Sequence, residues 1–206
     1  MKRNKLFLIS ITGSPASGKS YFSKILFEQL NKKFINKKIY LIEVNDIVEK
    51  YSLYKGVDKF GSKLVNVGIL KSKIEEIINH YSGIVILVGH LLADIKLDYD
   101  IVVVKREHLP VLEKRMIDRG YKNEKIRENL ISEALDYCGE NIYRGKIFQE
   151  IRSDRDIINI LKFILNYVDS EFYKNRSEKK YLLIEKQFNE MLELNNMILN
   201  GNRYNF

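Results

Sequence analysis

The feature that most constrains this chain lies close to its start. An apolar, strand-like run, residues 6–12, meets Gly13-Ser14-Pro15-Ala16-Ser17-Gly18-Lys19-Ser20, and a helical pattern follows with Phe22, Ile25, Leu26, Leu30 and Phe34. Strand, glycine loop and helix are the order that a Walker A loop requires. Such a loop curls successive backbone N–H groups around the β- and γ-phosphates of a nucleotide, an approach that only a glycine-rich backbone allows. Lys19 would lie along the phosphates as a point charge, Ser20 would offer its hydroxyl to Mg²⁺, and the helix would aim its positive end at the anion. A bound nucleoside triphosphate is therefore the first expectation.

The rest of the chain is compatible with one α/β domain around that loop. Its 206 residues are 45% apolar, enough for a core of ordinary size. Short apolar runs at 6–12, 39–44, 84–88, 101–105 and 147–151 alternate with helical patterns, which predicts a five-stranded parallel sheet covered on both faces. Ile69, Leu70, Ile74, Ile77, Ile78 and Tyr81 mark one helix. Val111, Leu112, Arg115 and Met116 mark another, opened by Pro110. Asn123 is placed to cap a third, whose stripe of Ile126, Leu130 and Ala134 extends to Cys138. Ile157, Ile158, Leu161, Ile164 and Leu165 form the last core helix.

A lone cysteine excludes an internal disulfide and a cysteine-built metal site, and its spacing makes it a packed thiol. Three scattered histidines do not form a metal site either. No apolar run reaches membrane-spanning length. The basic start, residues 1–5, runs into the strand before the loop, so cleavage there would destroy the site, and a cytoplasmic location with no membrane partner is expected. The net charge is +8, and residues 1–50 hold ten Lys/Arg against four Asp/Glu. The lysines at 32, 33, 37 and 38 have two readings, favourable charges at a helix C-terminus or a patch for phosphate-rich partners. Beyond residue 168 the composition changes: a polar stretch precedes Tyr181, Ile184, Phe188, Met191 and Ile198 at helical steps. This extension, residues 169–206, reads as a helix that folds onto its own domain or receives a partner.

A second signature narrows the chemistry. Ile101-Val102-Val103-Val104-Lys105-Arg106 leads through Val111-Leu112-Glu113-Lys114-Arg115 to Arg119-Gly120-Tyr121, then to 124–129 and Glu133. With Gly89-His90 after the third strand, and weaker similarity at 45–47 and 53–58, this resembles the adenylate kinase isoenzyme six family over about residues 5–168. The family comprises small nucleoside-monophosphate kinases linked to small-subunit ribosome assembly. The resemblance implies a three-layer P-loop kinase fold for residues 1–168, with a monophosphate-binding segment at about 45–81 and a lid at about 115–130. It implies γ-phosphoryl transfer from ATP to AMP, ATPase activity alongside, and a small-subunit ribosomal protein and pre-rRNA as partners. Arg115 and Arg119, one helical turn apart, would neutralise the moving phosphoryl group. Arg106, at a strand end, would join them around the nucleotide. Pairing of these arginines with Glu113 or Glu124 is the alternative. His90 would position phosphate or water.

Two departures stand out. The family's acidic residue two positions before that histidine is Val88 here, and the arginine of its monophosphate segment is Glu49. Asp46 is the expected substitute for part of the metal or monophosphate task, and Asp94 is a second candidate. A weakened kinase, a changed acceptor and an ATP-binding assembly factor all fit such losses, as does an unrelated small-molecule kinase sharing only the loop.

Overall fold

A computed structural model describes residues 6–59 and 63–172. The strand β1 (Leu6–Thr12) is buried along almost its whole length, as a run rich in apolar residues should be at the centre of a sheet. Around it lie β2 (Ile39–Glu43), β5 (Gly83–Val88), β6 (Ile101–Lys105) and β7 (Ile147–Ile151), all parallel, in the order β2-β5-β1-β6-β7. The register sets Ile11 beside Val88 and Thr12 beside Val104, so the C-terminal ends of the central strands finish together. Chain direction switches from one side of β1 to the other at that edge, where open α/β sheets bind ligands.

Side chains alternate across the sheet. Leu8, Val85, Leu87, Val102 and Val104 share one core with Leu70 and Ile74 of α3 (Val67–Ile78) and with Val44, Ile47 and Val48 of α2 (Val44–Lys50). The opposite-facing residues, Phe7, Ile9, Ile11, Ile84 and Ile86, are wholly buried too. A sheet covered on both faces is the expected three-layer arrangement. Helix α1 (Lys19–Lys33) starts directly from the glycine loop and ends on Lys32 and Lys33, whose charges suit its C-terminus.

Several boundaries differ from expectation. The second strand stops at Glu43, because Val44 already opens α2; Asp46 therefore sits in that helix's first turn rather than at a strand end. Within 45–81 a small antiparallel hairpin, β3 (Tyr54–Val57) and β4 (Lys63–Val65), separates α2 from α3. Its residues are too few and too exposed to leave a periodic signal. Helix α4 (Leu109–Asp118) carries Pro110 in its first turn as predicted. Asn123 does not cap α5 (Asn123–Ala134); Lys122 holds the cap position and Asn123 is the first helical residue.

Cys138 does not continue the α5 stripe. The chain breaks at Asp136, which adopts a left-handed conformation with φ 54°, and Cys138 enters through a separate short helix, α6 (Tyr137–Asn141). The Asp136 side chain accepts from the Gly139 N–H, which offsets the strain of that backbone. The thiol is buried in the core, as its spacing suggested. The last helix, α7, covers Asp154–Phe172. The chain divides into two units between Asn166 and Tyr167, within α7. The expected helical stripe from Tyr181 to Ile198 lies outside the described residues, as does the basic segment at 1–5.

Candidate phosphate-binding site

The glycine loop spans the end of β1 and the start of α1. Gly13 has φ 140°, and a Cβ there would lie 2.2 Å from the Lys105 carbonyl oxygen, so the loop closes against β6 only with glycine. Ala16 also takes a left-handed conformation, φ 66°. The Ser14 carbonyl accepts from the Ser17 N–H at 3.2 Å and from the Lys19 ammonium at 2.7 Å, so the loop folds round its own lysine. Pro15 lines the adjoining cleft. The Ser17 hydroxyl is buried with no partner among the described residues, a donor left over inside the loop. Ser20 is exposed on the first turn of α1.

Electrostatics suit an anion. Burial pushes the Lys19 ammonium down to about 8; the carboxylates of Glu43 and Glu133 oppose the shift and Arg119 reinforces it. A cation deprived of water in this way is poised for phosphate oxygens. Arg115, half-exposed on α4, donates to the Ala16 carbonyl at 3.2 Å and to Glu107 at 3.0 Å, so its guanidinium already stands at the loop. Arg119, one turn on, is exposed at the C-cap, where its backbone N–H donates to the Ile117 carbonyl, and its side chain has no hydrogen bond or ion pair among the described residues. The anticipated partners Glu113 and Glu124 hold neither arginine; Glu107 holds Arg115.

Arg106 is differently placed. Its guanidinium meets Glu133 at 3.1 Å and Asp136, while its N–H donates to the Ile151 carbonyl. Burial works against that charge, and Glu133 and Asp136 outweigh it, raising the guanidinium further above its ordinary value. It fastens β6 to α5 and β7 rather than reaching toward the loop.

Glu133 is the residue that sequence reading left unassigned. It is 4% exposed. One oxygen accepts from the Ser14 hydroxyl at 2.6 Å; the other accepts from Arg106 Nε and the Glu107 N–H, each at 3.1 Å. A single carboxylate thus ties the glycine loop, β6 and α5. A glutamate on a charged helix reads as surface, so only its tertiary neighbours reveal the role. Asn129, one turn earlier, is buried on the same face.

His90 begins a 3₁₀ turn, His90–Asp94, after β5. Gly89 just before it is in extended backbone, but a Cβ there would come within 2.9 Å of Val44 Cβ, so close approach to α2 explains the Gly-His pair. Burial, then Lys19 and Lys125, hold the His90 imidazole down to about 4. It is neutral at ordinary pH, a hydrogen-bonding group and not a cation. Val88 is wholly buried, so no carboxylate stands at the position where the resembled family has one.

Beside the loop lies a cleft of about 870 Å³. Ser14 and His90 meet Asn45, Glu49 and Lys63 from the 45–81 segment, and Tyr121, Lys125 and Asn129 from the segment at 115–130. Asp46 is exposed and not part of this lining; Asn45 and Glu49, one turn apart, are. Asp94 lines the cleft and accepts from the Tyr137 hydroxyl at 2.5 Å, which pushes that phenol up to about 12. No group of three metal-ligating side chains occurs among the described residues. The exposed Ser20 hydroxyl is an oxygen donor of the kind a hard divalent cation accepts.

Comparisons with known proteins bear on the family and the fold. A family profile described as "AAA domain" matches residues 9–136. A protein named "Putative adenylate kinase" from Methanocaldococcus jannaschii is 32% identical over 173 residues, 84% of this chain and 89% of that protein. A protein of the same name from Methanosarcina barkeri is 35% identical over 175 residues, 83% and 91% of the two chains. Among solved structures, Chaetomium thermophilum Kti12 in complex with ADP-AlF3 superposes with a TM-score of 0.51 at 13% identity, covering 78% of this chain and 98% of that one. Shikimate kinase from Bacteroides thetaiotaomicron gives 0.50 at 16% identity, covering 79% and 98%. At such identities these two speak for the fold alone.

Proposed function

Because the chain belongs to the adenylate-kinase-like P-loop kinases, we propose that it moves the γ-phosphoryl group of ATP to AMP. The observation that carries this reading is the juxtaposition of an intact phosphate loop, with Lys19 and Arg115 on it, and one cleft that receives residues from three segments. The loop is the donor's place and the cleft the acceptor's. An oxygen of the acceptor phosphate would form the new bond to the γ-phosphorus as the bond to the ADP bridging oxygen breaks, leaving two ADP.

Lys19 would hold β- and γ-oxygens, and Arg115 with Arg119 would meet the charge that spreads over the moving group. Neutral His90 would hold a phosphate oxygen or water by hydrogen bonding. Mg²⁺, when bound, supplies charge neutralisation between phosphate oxygens, and Ser20 would be its protein ligand. Arg106 would act from behind, through Glu133, on the shape of the loop. Asp46 would reach an acceptor only from outside the cleft lining.

A second reading draws on Val88 and Glu49. Without the acid before His90, slow ATP hydrolysis coupled to a small-subunit ribosomal protein or pre-rRNA would be the output, in the cytoplasm. No helix among the described residues is long and apolar enough to cross a membrane. ADP formation measured with ATP and each nucleoside monophosphate separates the readings. AMP-dependent formation of two ADP per ATP is expected; hydrolysis indifferent to every monophosphate but stimulated by such a partner would replace it.

A pH effect follows from Lys19. Its ammonium is lowered to about 8 in the free protein and would be raised again by bound phosphates, so binding above that pH must take up a proton. The dissociation constant for ATP is therefore expected to rise above about pH 8, with calorimetry near pH 9 showing uptake of up to about one proton. Lys19→Met should abolish the uptake. Equal affinity at pH 7 and 9 in the wild type would contradict the assignment.

A further inference from the structure

We propose that Lys63 is the cation that takes the acceptor's phosphate, and that Glu49 occupies it until the acceptor arrives. This rests on the monophosphate-kinase reading of the cleft and goes beyond it by naming how the acceptor is held. From the 45–81 segment, the charged groups lining the cleft are Glu49, Asp58 and Lys63, so Lys63 is the one cation that wall presents among the described residues. The other lining cations, Lys122 and Lys125, come from the 115–130 segment, and Lys125 pairs with Glu128 at 3.0 Å.

The Lys63 ammonium meets the Glu49 carboxylate and lies 4.4 Å from the centre of the Tyr54 ring, which fixes where the charge sits. The pair joins α2 to the β3–β4 hairpin across the cleft wall. Its side chains are 33% and 56% exposed, so water screens the attraction and little is lost in exchanging the partner. A phosphate dianion carries twice the charge of a carboxylate and offers more acceptor oxygens, so it competes well for the same ammonium. Glu49 then opposes the incoming anion, both by holding its cation and by like-charge repulsion. Where the resembled family has an arginine in its monophosphate segment, this chain has an acid on α2 and carries its cation on β4.

The two members of this ion pair should therefore act in opposite directions, which a merely structural pair cannot do. With ATP saturating and the monophosphate varied, Lys63→Gln is expected to raise the monophosphate KM about tenfold, Lys63→Arg to recover most of it, and Glu49→Gln to lower it several-fold. The KM for ATP should stay unchanged in all three, and calorimetric titration with the monophosphate alone should repeat the order. If the Lys63 and Glu49 variants shift KM the same way, or neither moves it, the assignment is overturned while the kinase reading stands. If the wild-type protein neither binds nor phosphorylates any monophosphate, the kinase reading falls and Lys63's role falls with it.

Discussion

Replacing Glu133 by alanine is expected to destabilise the protein by about 3–5 kcal/mol, with a melting temperature lower by roughly 8–15 °C. The carboxylate is almost fully buried and serves three donors at once, the Ser14 hydroxyl, Arg106 and the Glu107 N–H. Removing it leaves a guanidinium beside β6 with half its counter-charge and two further donors without partners, each costing desolvation that nothing repays. Glu133→Gln keeps the shape and one good acceptor oxygen, so it should fall between. Because Ser14 supplies the carbonyl that Lys19 grips, ATP affinity should weaken too, though less than stability does. Urea or thermal unfolding of the three proteins checks the order, and a loss below about 1 kcal/mol in the alanine variant would mean that water already serves those donors.

Lys19→Ala should show the reverse division. Triphosphate affinity is expected to drop at least about 100-fold and turnover by about three orders of magnitude, since a preorganised cation on the phosphates is lost. Stability should hardly fall. Burial disfavours the Lys19 charge in the folded protein, so its removal gives up one hydrogen bond to Ser14 but also a desolvated ammonium. The sign can be checked independently. A folded-state pKa near 8, below the unfolded value of 10.5, means that the native protein releases that proton first. Lys19 therefore costs stability below pH 8, and that cost disappears as pH rises from about 8 to 10.5. The alanine variant should lack this rise. Retained ATP affinity would remove the loop from the mechanism altogether.

The contrast between these two residues mirrors what could be read from the chain and what could not. Lys19 stands in a local pattern: the loop's backbone conformation, the preceding strand and the following helix are all set within about thirty consecutive residues. Such a site is legible because its physics is local. The five strands were legible for a related reason, since a sheet buried on both faces needs continuous apolar runs. The hairpin at Tyr54–Val57 and Lys63–Val65 was not, because short exposed strands need no apolar period. Nor was the break at Asp136, where a side-chain cap on Gly139 replaced helix continuation through Cys138.

The arginines show the boundary most clearly. Arg106, Arg115 and Arg119 look alike as a series following one strand. Tertiary contacts separate them: Arg106 is held by Glu133 and Asp136, Arg115 reaches the Ala16 carbonyl, and Arg119 is left open beside the loop. Likewise Asp46 looked like the acid nearest the site, yet one residue of helix rotates about 100° and turns Asn45 and Glu49, rather than Asp46, to the cleft.

By itself, then, the amino-acid sequence determined the phosphate loop and the parallel sheet that presents it, because backbone conformation and apolar periodicity are written in neighbouring residues. Only the tertiary structure decided which charges face the loop, that Glu133 braces it and that Lys63 answers Glu49 on one wall of the cleft. Each of those depends on how separate elements pack against one another, where a charged side chain looks the same whether it meets water, a carboxylate or a substrate.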